Sequence, residues 1–118
     1  MRFQSVLSVT MAGLLALVTT TNAEWCAKIT MAKIYNTPEY SGNPQILKGG
    51  CQFIIFEQVL SVEVDKQAIP AGFLPHCYFY SELECQGDWL FAARGGNIPK
   101  VNVNKVPKSA ICFVLPRE

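Results

Sequence analysis

Apolar and polar residues alternate with a period of two along most of this chain. Val62 and Val64 alternate with Ser61, Glu63 and Asp65, and Val101 and Val103 with Asn102 and Asn104. Trp89, Phe91 and Ala93 fall on one face of their segment, and Trp89 is read as a core residue. Two other segments, Phe53-Ile54-Ile55-Phe56 and Ile111-Cys112-Phe113-Val114-Leu115, are apolar on both faces and are expected to be central or sandwiched. The pattern predicts strands over Ala27 to Tyr35, Pro44 to Leu47, Gln52 to Phe56, Ser61 to Asp65, Cys77 to Ser81, Asp88 to Ala93, Lys100 to Asn104 and Ala110 to Leu115. Helix signals are poor, and 7 prolines and 8 glycines punctuate the runs. The fold class is all-β, a sandwich or small barrel.

The pattern repeats. Tyr35-Asn36-Thr37-Pro38-Glu39-Tyr40-Ser41-Gly42 has an echo at Tyr80-Ser81-Glu82-Leu83-Glu84-Cys85-Gln86-Gly87, with an offset of 45 at every matched position. Gly42 and Gly87 permit a positive φ, so each hairpin can fold sharply back. Tyr35 and Tyr40 can then pack across the first one. Further on, a serine opens an apolar strand in each half: Ser61, 19 residues after Gly42, and Ser109, 22 residues after Gly87. A serine hydroxyl can bond the backbone groups that a folded hairpin leaves unpaired. Ala68 to Pro75 divides the halves. Each half is near the size limit for a core of its own, so the two are expected to share one.

The first residues read differently. Arg2 precedes an almost unbroken apolar run from Val6 to Val18, and Thr21-Asn22-Ala23 places small residues at a cleavage site. The pattern predicts a secretory signal peptide over 1–23, whose apolar run is shorter than the about 18 or more residues that span a bilayer. The expected mature domain, 24–118, is secreted and extracellular, with no transmembrane segment. It carries nine Lys and Arg, the chain's 10 without Arg2, against 9 Asp and Glu. That balance argues against a nucleic-acid partner. The charges are unevenly placed, with Arg94, Lys100, Lys105 and Lys108 gathered late as a candidate surface for an anionic partner. The 5 cysteines, Cys26, Cys51, Cys77, Cys85 and Cys112, predict disulfides in an oxidising compartment. Five is odd, which leaves two bridges plus a free thiol, or a dimer linked through the fifth. The spacings do not suit zinc.

The repeat resembles the βγ-crystallin Greek key: aromatic, four residues, aromatic, one residue, glycine, then a later serine before an Ile/Val-rich strand. The structural residues are Tyr35, Tyr40, Gly42 and Ser61 in a first motif over about 26–66, and Tyr80, Gly87 and Ser109 in a second over about 76–116. Cys85 stands where the second aromatic should be. The resemblance implies a disulfide-stabilised two-sheet sandwich in which each motif lends its last strand to the other's sheet. Cys112 would then lie near Cys26, giving Cys26–Cys112, and Cys51 would pair with Cys77 or Cys85. The family's calcium positions fall here on Phe56, Glu57 and Leu60, and on Asn104, Lys105 and Lys108. Each set is missing ligands that the motif needs, and the second has lysines in their place, so no metal or other cofactor is expected.

Catalytic constellations are poor. His76 adjoins Cys77, but neighbours in a strand face opposite sides. Glu82 and Glu84 lie in a turn. Gly49-Gly50 and Gly95-Gly96 lack the frame of a phosphate loop. The expected function is therefore non-enzymatic. The fold analogy, which extends to killer toxins and plant antimicrobial proteins, points to an effector, toxin or antimicrobial protein that binds a protein or cell-surface partner. The alternatives are an inhibitor of a secreted hydrolase, acting through Ala68 to Pro75 or Gly95 to Pro99, and a structural or carbohydrate-binding module.

Overall fold

The computed structural model of the chain describes residues 27–117. The proposed leader, Trp25 and Cys26 lie outside the described residues. Among the described residues seven strands form: β1 Thr30–Tyr35, β2 Gln45–Lys48, β3 Gly50–Phe53, β4 Ser61–Val64, β5 Phe73–Glu82, β6 Gln86–Arg94 and β7 Ser109–Pro116. All pairings are antiparallel. β2, β1 and β4 make a three-stranded sheet in that order, and β3, β7, β5 and β6 a four-stranded one. The fold is all-β.

The exchange between sheets differs from the expectation. β7, the last strand, pairs with β5 of its own half. The segments that cross are the third of each half. Two residues after the end of β2, Gly50 takes φ 95° and turns the chain into the second sheet, where β3 pairs with β7. Gln52 closes that corner, donating from Nε2 to Lys48 O and accepting from Lys48 N, both at 2.7 Å. In return, Ile98 bridges Val62, with backbone bonds of 2.8 and 2.9 Å. The predicted strand over Lys100 to Asn104 does not form. Its segment is tied by single bonds such as Val101 N to Leu60 O, and only the burial alternation survives, Val101 and Val103 half-buried and Asn102 and Asn104 exposed.

The core draws on both halves. Met31, Ile34, Leu47 and Val62 from one sheet meet Cys77, Phe79, Ala93, Ala110 and Cys112 from the other. Phe79 and Phe91 stack within it at 4.4 Å. The disulfides are Cys77–Cys112 and Cys51–Cys85. Cys26–Cys112 is thereby corrected. Because β7 stays beside β5, Cys112 lies directly opposite Cys77 on the inner face, with Cα atoms 4.1 Å apart.

Candidate binding surfaces

The two repeats fold alike. Glu39 and Tyr40 adopt φ 57° and 61°, Glu84 and Cys85 adopt 61° and 56°, and Gly42 and Gly87 both take 84°. Left-handed backbone at a non-glycine residue costs about 1–2 kcal/mol, so four such residues need anchoring. Ser61 supplies it in the first copy: its Oγ accepts from Tyr40 N at 3.0 Å and donates to Thr37 O at 2.7 Å. Ser109 does the same in the second, accepting from Cys85 N at 2.8 Å and donating to Glu82 O. Both serines are fully buried. Tyr35 and Tyr40 meet edge to face at 6.2 Å. In the second copy the Cys51–Cys85 bridge occupies that position and joins the crossed strand β3 to the hairpin. These residues shape the scaffold. The surface around them carries the chemistry.

β3 is an edge strand, not a sandwiched one, and this corrects the reading of Phe53 to Phe56. Ile54 points inward while Phe53 and Ile55 are 64% and 62% exposed. The Gln45 side chain holds the backbone between them, donating to Phe53 O and accepting from Ile55 N, each at 2.9 Å. β3 packs against the turn Leu83–Cys85, whose Leu83 is 60% exposed. Three large, exposed apolar side chains thus lie on or next to the two segments that the Cys51–Cys85 bridge joins. Exposed Glu57, Glu82 and Glu84 flank them in sequence. The Lys108 carbonyl accepts from Ile54 N at 2.9 Å and so ties that residue to this edge.

The outer face of the four-stranded sheet carries a second feature. Trp89 was expected in the core with Phe91. The register instead slips between Phe79–Phe91 and Tyr80–Trp89, leaving Leu90 as an extra residue on β6. Such a bulge turns the strand by one side chain, so Trp89 faces outward at 51% exposure. There it joins a file of rings. His76 stacks on Phe113 at 6.2 Å, Phe113 on Tyr78 at 5.4 Å, and Tyr78 lies 6.4 Å from Trp89. The Arg94 guanidinium sits 5.7 Å from both the Tyr78 and Trp89 rings, within cation–π range.

Beside Trp89 lies a groove of about 440 Å³, bordered by Asp88, Asn102, Asn104 and Lys105. Lys105 Nζ donates to Asp88 Oδ2 at 2.5 Å. That hydrogen bond holds the Asp88 carboxyl below its ordinary range and the Lys105 ammonium above its own.

The late basic residues are dispersed among partners. Arg94 lies on the rings, Lys105 on Asp88, and Lys100 lies 3.8 Å from Glu39. The loop candidates also divide. Gly95 to Pro99 is anchored through Ile98 to β4 and through Asn97 Oδ1, which accepts from Val64 N. Phe73 to Pro75 belongs to β5. His76 and Cys77 face opposite sides, one on Phe113 and the other in the inner disulfide. Sequence reasoning missed the Phe53–Ile55–Leu83 patch. Its signal was the doubly apolar run, which suits a buried strand and a docking edge equally well. No helix among the described residues is long and apolar enough to cross a membrane. Comparison with protein-family models, curated proteins and solved structures gives no match to this chain.

Proposed function

We propose that the chain is a small secreted, non-enzymatic protein of the effector, toxin or antimicrobial class, acting by docking on a partner. The observation that carries this reading is the cluster of Phe53, Ile55 and Leu83, each at least 60% exposed, around a disulfide-fixed edge. Large apolar side chains held in water by a rigid frame characterise docking sites. Glu57, Glu82 and Glu84 beside them favour a partner segment that combines apolar residues with Lys or Arg. The scaffold we assign is the βγ-crystallin-like pair of Greek keys. Its support is the twin serine-anchored hairpins and the reciprocal exchange of third segments. Secretion is supported by the amino-terminal pattern and by two disulfides in a small chain. The hydrolase-inhibitor reading is weaker, because Gly95 to Pro99 is hydrogen-bonded into the first sheet.

Growth inhibition of competing or host cells, paired with capture of a partner from their extracts, tests the reading. The double variant Phe53→Asp with Leu83→Asp is expected to lose both while keeping its melting temperature, since neither side chain packs in the core. Activity and capture equal to the unaltered protein would overturn the patch as the docking site.

A further inference from the structure

The groove beside Trp89 uses different side chains and a different chemistry from the apolar patch, and goes beyond the docking reading. Trp89 presents half of its surface although one neighbour, Arg94, lies 5.7 Å from its ring and another, Tyr78, 6.4 Å. The indole is therefore braced before any ligand arrives, and little rotamer entropy is lost on binding. Next to it, the half-buried Val101 and Val103 turn the carboxamides of Asn102 and Asn104 to the same, solvent side. Each carboxamide offers two N–H donors and a carbonyl acceptor in one plane, a set that pairs with adjacent hydroxyls. The groove's two charges satisfy each other, Lys105 on Asp88. What remains for a ligand is an aromatic face, with the Arg94 guanidinium engaged on the rings behind it, and neutral hydrogen-bonding groups. Asp88 is further fixed by its backbone N–H, which donates to Ser81 Oγ at 2.8 Å. The volume, about 440 Å³, lies within the range of small-ligand sites, roughly 300–1,000 Å³.

We propose that this groove, formed by Trp89, Asn102 and Asn104, binds a neutral oligosaccharide. The axial C–H face of a pyranose ring packs on the indole, and the carboxamides bond its hydroxyls. An ionic ligand would have to break the Asp88–Lys105 pair to gain anything from either charge. An apolar ligand would leave both carboxamides desolvated and unpaired.

The experiment is titration of the isotope-labelled mature protein, disulfides intact, with soluble hexasaccharides of chitin, β-1,3-glucan and mannan, followed by NMR. Saturable shifts at the Trp89 indole N–H and the Asn102 and Asn104 carboxamides are expected with at least one of the three. Trp89→Ala and, separately, the exposed pair Asn102→Ala with Asn104→Ala should each weaken binding about tenfold or more, the effect of losing one dominant contact. The asparagine pair stands outside the ring file, so it tests the site even if Trp89→Ala disturbs the sheet. Three outcomes overturn the proposal: no shift at millimolar sugar, shifts unchanged in the asparagine pair, or binding confined to anionic polysaccharides and abolished by salt.

Discussion

Ser61 and Ser109 each satisfy one N–H and one carbonyl of a hairpin whose backbone is held in the left-handed region. Replacing either with alanine leaves both groups without their partner in a largely dry place. Ser61→Ala and Ser109→Ala are each expected to cost about 1–3 kcal/mol, read from denaturant unfolding of the oxidised protein. An unchanged midpoint for both would show the hairpins to be held otherwise. Gly87 illustrates the same tightness: a Cβ there would stand 2.5 Å from Ser81 Oγ, whereas at Gly42 the nearest atom is Thr37 Oγ1 at 3.6 Å. Tyr35 gives the residue scale a pH signature. Its hydroxyl donates to Glu63 Oε1 at 2.8 Å, and burial, then that bond and the carboxylate's charge, push its pKa from 10.0 to about 12. The folded state thus holds the phenol proton more tightly than the unfolded chain. The contribution is complete below pH 10.0 and is lost as pH rises through about 12. A melting temperature that falls over this window in the parent, and falls less in Tyr35→Phe, is the expected result. Parallel curves for the two proteins would contradict it.

At the scale of elements, the two bridges differ in access. Cys77 and Cys112 sit on the inner face, with 0% and 1% exposure, whereas Cys51 is exposed on the edge strand and Cys85 half-buried. Thiol attack on a disulfide depends on reaching the sulfur. Mild reduction followed by alkylation and peptide mapping is expected to label Cys51 and Cys85 first. Labelling of Cys77 at the same rate would contradict the burial argument. The bridges close separations of 34 and 35 residues, and loss of either is expected to cost about 3–4 kcal/mol by loop-closure entropy. Most strands were legible in the sequence because alternation survives wherever one face of a sheet is wet. Lys100 to Asn104 shows the limit. Its alternation is real, yet packing of Val101 and Val103 produces it without a ladder. Trp89 shows another: a bulge of one residue reverses its face, and nothing in the local pattern announces it.

For the whole molecule, the decisive feature is which segments cross. Because β3 leaves its own sheet, Cys51 arrives beside Cys85, and Phe53 and Ile55 reach the surface next to Leu83. The reciprocal crossing places Gly95 to Pro99 against the first sheet and leads the chain on to Asn102 and Asn104 at the groove. The docking variants at Phe53 and Leu83 are therefore tests of the assembled fold, since no hairpin taken alone would bring these residues together.

The sequence by itself determined the all-β class, the turns and the matched hairpins with their serines. All of these depend on local periodicity and on residues a few positions apart. Only the tertiary structure decided the disulfide partners, the edge position of β3 and the outward face of Trp89. Those follow from strand order and register, and residues far apart in the chain settle them by competing for the same neighbours in space.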